Sequence, residues 1–371
     1  MTSSRLLLSL LLASSFLSGC QTQAAEPGQR GGKVRKVAVE ADDSGEFANF
    51  SQWRDVSAFI DDMVARHGYS RPELESTLAR VRFVDSAIQL MKPAPAGRPK
   101  NWAAYRARFV EPVRIDAGVA FWNDHSDALR RAEDQYGVPA DIIVGILGVE
   151  TVYGRNKGNF RVMDAVTTLA FAYPDTPNRT ARMEYFRGEL ANTLLFARES
   201  GIDPFSLRGS YAGAIGWPQF MPGSIRSYAV DFDGDGRVDL RNSPVDAIGS
   251  IANFLVAHGW KRGEPTVFPA SLDPASGSGW EMFLNQGLEA KFRPDEIRAA
   301  GIRPTVELPA DMLFGLVDLQ NGGAPTEYWL GANNFFAITQ YNRSFFYAMS
   351  VIDLGRAVRA ARGDDRVARY R

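Results

Sequence analysis

Apolar residues at helical spacing begin with Trp53, Val56, Phe59, Ile60 and Met63 and resume at Leu74, Leu78 and Val81. Two amphipathic helices are predicted there. A proline-bounded break from Pro93 to Pro99 leads into another helical region with Trp102, Tyr105 and Phe109. From Tyr136 to Trp260 the pattern is mostly helical with long loops. Between Gly263 and Leu330 it changes to short runs, Thr266 to Phe268, Thr305 to Leu308 and Leu313 to Val317, separated by Pro and Gly. Such runs predict a small β subdomain. Helical pattern returns from Phe345 to Ala361. The expected class is mainly α, of the α+β kind. Its parts are an α-helical domain at 48–135, a core at 136–262, a β subdomain at 263–330 and a return to the core at 331–371.

Composition narrows the function classes. With 371 residues, 45% hydrophobic and 11% aromatic, the chain can bury one large core or two to three smaller ones. A net charge of −1 removes any general argument for binding nucleic acid. One cysteine excludes an intrachain disulfide framework.

Ahead of the first helix, Arg5 precedes an apolar stretch from Leu6 to Phe16, the charged-then-apolar order of a secretory signal. It is too short to span a bilayer, which needs roughly 20 residues. Leu17, Ser18 and Gly19 then lead to Cys20, an arrangement that resembles the lipobox of bacterial lipoproteins. The resemblance implies a signal peptide at 1–19 and a lipidated Cys20 at the start of the mature chain. A polar, Gly- and Ala-rich stretch reaching to residue 47 would be a flexible tether. Gln21 favours the periplasmic side of the outer membrane under the sorting rule of enteric bacteria. An ordinary secretory signal ending near Ala24 or Ala25 would instead discard Cys20 with the leader.

A run from Val138 to Glu150 offers the first chemistry. Pro139 at a first helical position and Asp141 in the first turn are start signals. Beyond them the segment is apolar on every side, so it belongs inside a domain. Leu147, Ile146 and Ile143 lie three, four and seven residues before Glu150 and share its face. Desolvation by these neighbours should raise the pKa of Glu150 and hold a proton near neutral pH, the state a general acid needs. A helix-terminal Glu reaching solvent or Arg155 is the alternative.

The stretch Gly148-Val149-Glu150-Thr151-Val152-Tyr153-Gly154 resembles the catalytic Glu-Thr-x-x-Gly segment of the membrane-bound lytic murein transglycosylase B family. Similarity continues through Gly209 to Pro222, Asp246 to Ser250, Ala257 to Trp260 and Ala332 to Asn342. It implies a lysozyme-like catalytic core flanked by an α-helical domain and a small β domain. The implied reaction is non-hydrolytic cleavage of the β-1,4 bond between N-acetylmuramic acid and N-acetylglucosamine in peptidoglycan. The muramyl C6 hydroxyl attacks C1 of its own sugar and leaves a 1,6-anhydro end. One carboxyl, that of Glu150, serves as acid and then as base, with no organic cofactor. A two-carboxylate glycosidase needs a second acid across the bond. Asp141, nine residues away at about 100° each, lies on the opposite helix face.

Glycan contacts implied by the resemblance are Ser210, Gln219, Phe220, Tyr341 and Asn342, with Tyr105, Tyr185 and Tyr347 beside them. Core packing is the commoner role for any one of these aromatics alone. The sequence departs from the family pattern at Phe254, where a tyrosine is usual, and in the loop Asp175 to Arg182, which replaces paired arginines. A hydrolytic muramidase would use the same acid, and a non-catalytic peptidoglycan-binding lipoprotein would not need it. Protein partners from cell-wall synthesis or hydrolysis are left open.

Asp231, Asp233 and Asp235 alternate before Gly236, the opening of an EF-hand-like loop suited to Ca²⁺. Asn242 stands at the twelfth position, where Glu is usual. The resemblance implies that Asp246 closes the shell and that the Arg237 carbonyl joins it, giving a structural ion. An acidic surface turn without metal is the alternative.

Overall fold

The computed structural model describes residues 54–93, 97 and 99–363. The leader, Cys20 and the tether lie outside the described residues. Among the described residues no helix is long and apolar enough to cross a membrane.

The first predicted helices form as α1 (Arg54–His67) and α2 (Arg71–Ala79), with Val56, Ile60, Met63, Leu74 and Leu78 buried. They are followed by α3 (Asp85–Met91) and by α4 (Trp102–Arg106), a single short turn that ends before Phe109. Next come α5 (Pro112–Asp124) and α6 (Ser126–Tyr136). Then α7 (Ala140–Thr151) carries the candidate acid through the interior, with every residue from Ala140 to Gly148 buried. Pro139 is not its first residue but its cap: its ψ of 143° is extended and its carbonyl accepts from Ile142 and Ile143.

Around α7 are α8 (Val162–Ala172), α9 (Arg179–Glu199), α10 (Pro222–Tyr228) and α11 (Pro244–Ala257). Two-residue strands β1 (Phe160–Arg161) and β2 (Arg208–Gly209) pair antiparallel beside them. After the sheet described below, α13 (Asn333–Thr339) and α14 (Phe345–Ala361) bring the chain back. α14 has the bounds its periodicity predicts, and it packs along α7.

That packing is close because both helices present glycine. A Cβ on Gly145 would sit 2.2 Å from the Val351 carbonyl, and one on Gly355 would sit 2.2 Å from the Asp141 carbonyl. Asp141, buried on the face away from the acid, is paired with Arg359 of α14 at 2.7 Å. A further ion pair, Arg106 to Asp353 at 2.6 Å, ties α4 to the same helix.

The β region is a four-stranded antiparallel sheet in the order β4-β3-β6-β5. Its strands are β3 (Val267–Leu272), β4 (Ile302–Pro304), β5 (Gly315–Asn321) and β6 (Ala324–Gly331), with α12 (Pro294–Ala299) before β4. The predicted run Thr305 to Leu308 is not a strand. The pairing edge of β3 instead takes Ile302 to Pro304, matched to Leu272 to Ala270. Phe283, Ile297, Ile302, Leu308, Phe314, Leu316 and Leu330 form a small core under this sheet, separate from the large helical one. The architecture is thus predominantly helical with a small β subdomain.

Candidate active site

Glu150 sits in the last turn of α7 and is partly open to solvent. Its Oε1 accepts a 2.7 Å hydrogen bond from the hydroxyl of Tyr347, near the start of α14. Burial raises the carboxyl to about 7, against the smaller opposing effect of the Tyr347 bond, which favours the ionised form. Among the described residues Glu150 has no ion pair, so the alternative of an Arg155 partner does not arise. A carboxyl that is neutral or charged with nearly equal ease at neutral pH can both give and take a proton.

The next residues build a rigid turn. Thr151 donates from Oγ1 to the Trp217 carbonyl at 3.1 Å and accepts from the Gly154 amide at 3.0 Å. Val152 and Tyr153 both take left-handed φ, 51° and 53°, a conformation that costs a non-glycine residue energy and persists where the surroundings enforce it. At Gly154, φ is 78° and a Cβ would lie 2.6 Å from the Trp217 ring, so only glycine fits beneath it. The Glu-Thr-x-x-Gly spacing is therefore geometric: the threonine and glycine lock the loop bearing Trp217 onto the end of the acid's helix.

That loop carries several predicted residues. Ser210 Oγ accepts from the Ala212 and Ala214 amides, which leaves its own proton free to donate outward. Gln219 is the third left-handed non-glycine here, with φ 51°, and its amide donates to the carbonyls of Gly216 at 2.8 Å and Lys157 at 3.3 Å. The side-chain carbonyl of Gln219 is left as the outward acceptor. Phe220 is only 2% exposed and packs against Tyr341 and Phe254, with ring centres 5.7 and 5.5 Å away. It forms the wall behind the site rather than a surface on which a sugar could lie.

Tyr341 donates to the Pro218 carbonyl and stacks at 6.2 Å on Tyr347, which is 2% exposed. Burial, and then the charge of Glu150, push both phenols well up. Tyr347 therefore stays protonated and serves the carboxyl. Asn342 is half-buried in the turn after Tyr341, and its backbone carbonyl accepts from Ser344. Tyr105 packs on Trp102, Phe109 and Phe346 and is pushed up to about 12 by burial and then by Glu150. Phe254 lies inside the aromatic cluster, 4.9 Å from Tyr341 and 3.9 Å from His258.

Tyr185 belongs to a neighbouring group. The guanidinium of buried Arg182 is 5.2 Å from its ring, while Arg179 binds the Tyr173 carbonyl instead. One turn along α9 is Glu189, 8% exposed, whose Oε2 accepts from the Gly223 amide at 2.8 Å. Burial raises this carboxyl to about 7, with the Gly223 and Tyr185 bonds opposing. Glu189 anchors the start of α10, and so the end of the loop with Gln219 and Phe220. Sequence reading passed over it, although Tyr185 and Glu189 stand four apart on one helix face. It also passed over Trp217 and Lys157.

In the acidic loop, ligand atoms of Asp231, Asp233 and Asp246 lie within 4.8 Å of one another. Asp246 is buried and accepts from the amides of Phe232, Asp233 and Asp239 at 2.8 to 3.2 Å. Asp231 accepts from Gly234, Asp235 and Gly236. Asp235 stands outside this cluster and accepts from the Arg237 amide at 2.9 Å. An all-oxygen set on a tight, amide-braced loop fits a hard cation such as Ca²⁺.

Comparison with known proteins agrees with this architecture. The chain is 43% identical over 327 residues to membrane-bound lytic murein transglycosylase B of Escherichia coli (strain K12), covering 86% of this chain and 85% of that one. Soluble lytic transglycosylase SltB1 from Pseudomonas aeruginosa superposes with a TM-score of 0.75 at 44% identity, over 83% of this chain and 99% of that one. The Escherichia coli lytic transglycosylase Slt35 in complex with calcium gives 0.75 at 42%, over 88% and 99%. Residues 50–356 match the family model described as the transglycosylase SLT domain. An acid at neutral-range pKa, held at the end of a buried helix by a motif whose spacing is explained residue by residue, is thus set in a chain that belongs to the transglycosylase SLT domain family.

Proposed function

We propose that this protein is a peptidoglycan lytic transglycosylase that cleaves the β-1,4 bond between N-acetylmuramic acid and N-acetylglucosamine and leaves 1,6-anhydromuramic acid ends. The observation that carries the reading is the Glu150 carboxyl at the end of the buried helix α7, held by the Tyr347 hydroxyl at 2.7 Å and partly open to the cleft, where desolvation raises it to about 7. Tyr347 occupies Oε1, which leaves Oε2 to carry the transferable proton. Protonated Glu150 gives that proton to the glycosidic oxygen as the bond to muramyl C1 breaks. Positive charge develops at C1, and the new carboxylate faces it in a site of low dielectric. The same carboxylate then takes the proton of the C6 hydroxyl while that oxygen bonds to C1. Glu150 is restored and no water is consumed. Because the nucleophile belongs to the sugar already bound, the closure is intramolecular.

Ser210 and Gln219, with one outward donor and one outward acceptor, suit the acetamido groups of the glycan. Asn342, Tyr341, Tyr105 and Tyr185 are assigned to the remaining glycan contacts, with Phe220 as their backing. In the acidic loop we assign a structural Ca²⁺ to Asp231, Asp233 and Asp246, with Asp235 and the Arg237 carbonyl completing the shell. Such an ion would hold the loop ahead of α11 and has no step in the chemistry. The N-terminal reading, a lipid on Cys20 facing the periplasm from the outer membrane, and the domain limits of 48–135, 136–262 and 263–330 belong to the same proposal.

Digestion of purified sacculi in ¹⁸O-labelled water tests the reaction. The expected products are anhydro ends free of the label. Predominant labelled reducing ends would make the enzyme a muramidase.

A further inference from the structure

Ser210 and Gln219 are tied together from behind by two cations that take no part in the proton transfers. Lys157 stands in the turn between α7 and β1, and Arg241 between the acidic loop and α11. Both are half-buried. Lys157 donates from Nζ to the Arg241 carbonyl at 2.7 Å, and Arg241 donates from Nη1 to the Arg208 carbonyl at 2.8 Å. The carbonyl of Lys157 accepts in turn from the Gln219 side-chain amide at 3.3 Å. A continuous path of bonds therefore runs from Gln219 through Lys157 and Arg241 to Arg208, two residues before Ser210.

The main chain is packed as closely as the side chains are bonded. A Cβ on Gly158 would sit 2.2 Å from the Gly209 carbonyl and 2.6 Å from the Ser210 nitrogen. One on Gly216 would sit 2.1 Å from the Leu240 carbonyl, which accepts from the Trp217 amide at 2.8 Å. The stretch from Ser210 to Gln219 thus rests on two supports, 157–158 and 240–241. The Lys157–Arg241 bond joins the supports to each other.

Charge alone would not bring these two groups together. Burial lowers the pKa of both, and after it the charge of Arg241 lowers Lys157 while that of Arg208 lowers Arg241. Asp239 opposes this at both, yet its oxygens accept from the main-chain amides of Arg241 and Asn242 and from the Asn242 side chain. What the cations do make is bonds to carbonyls, and a charged donor makes such bonds shorter and stronger than a neutral one. Their long stems also span gaps that a serine or asparagine would leave open. The conformation they support needs support: Gln219 holds a left-handed φ of 51°, which persists in a non-glycine residue only where the surroundings enforce it.

An acetamido group presents a carbonyl acceptor and an N–H donor at a fixed separation. The outward donor of Ser210 and the outward acceptor of Gln219 can serve both ends at once only while their own spacing holds, since hydrogen bonds weaken steeply with misalignment. We propose that Lys157 and Arg241 are positioning residues for glycan recognition, which hold Ser210 and Gln219 at the spacing of the two ends of an acetamido group. This assignment rests on the glycan roles given to Ser210 and Gln219 in the transglycosylase reading.

The test measures KM and kcat for anhydro-end formation on purified glycan strands with wild type, Lys157→Met and Arg241→Gln, each also in a Ser210→Ala, Gln219→Ala background. Either single substitution should raise KM about threefold to tenfold, with kcat within about twofold of wild type. The alkaline limb of the pH profile should stay in place, because the Tyr347 bond to Glu150 is untouched. In the double-alanine background the same substitutions should change KM by less than about twofold, since nothing is left for them to position. Arg241→Lys keeps a charged donor for the Arg208 carbonyl and should restore most of the loss. An unchanged KM in the single variants would overturn the proposal. So would a KM effect that persists in full in the double-alanine background, or a fall in kcat with a displaced limb. Should Lys157→Met not fold, Arg241→Gln breaks the same path at its other end, and the same outcomes decide. A wild-type KM in the double-alanine protein would instead strike the glycan roles of Ser210 and Gln219, and absence of anhydro ends with wild type would strike the transglycosylase reading itself.

Discussion

Replacing Glu150 with Gln should abolish cleavage and, at alkaline pH, make the protein more stable. In the unfolded chain an ordinary glutamate loses its proton near 4.5, whereas the folded site holds it until about 7. Between those values the native state binds more protons than the unfolded one, so stability falls as pH rises through that window. Below the unfolded value the burden is absent. Raising a pKa by about 2.5, at about 1.4 kcal/mol per unit, costs the ionised native state about 3 kcal/mol by pH 8. Partial access of solvent to the carboxyl brings the figure nearer 2 kcal/mol. Glutamine keeps the shape and the acceptor for Tyr347 and never ionises. Urea unfolding of both proteins from pH 4 to pH 9 would read the difference directly. Other groups that titrate in this range, Glu189 among them, act equally in both proteins and cancel. The variant should match wild type near pH 4 and exceed it increasingly above pH 7, with muropeptide release lost throughout. A stability difference that does not change with pH would refute the desolvated acid. Residual cleavage above a small background would refute its role.

Tyr347→Phe removes a donor that favours ionised Glu150. The alkaline limb of kcat/KM should then move up by about one pH unit, and kcat should fall about tenfold or more; a limb that stays or moves down contradicts the assignment. For the acidic loop, Ca²⁺ added to metal-stripped protein should raise the thermal midpoint, because it binds only the folded state. Asp233→Ala combined with Asp235→Ala should remove that gain, and a midpoint flat across a saturating titration would show a bare turn. Cys20→Ala should release the full-length protein from the membrane fraction while the soluble domain stays active. Continued partition with membranes after high-salt washing would show that Cys20 is not the anchor.

The apolar face around Glu150 was readable in the sequence because residues three, four and seven apart on a helix must be neighbours, whatever the rest of the chain does. For the same reason α14 begins and ends where its periodicity places it, and the alternating aspartates point to one loop. Short strands were less legible. Ile302 to Pro304 was chosen over Thr305 to Leu308 by pairing with β3, and a run of so few residues carries no period strong enough to reveal its partner. Nothing local joins Glu150 to Tyr347, which is 197 residues away. Their bond exists because glycines let α7 and α14 approach closely. The same limit hid Glu189, an ordinary helix acid until α10 lays the Gly223 amide on it. It also recast Phe220 as the buried backing of the cleft. Sequence determined which faces are buried and which acid is desolvated, since both follow from near neighbours. Only the tertiary structure decided which groups meet that acid, since distant helices share no period by which to announce their contact.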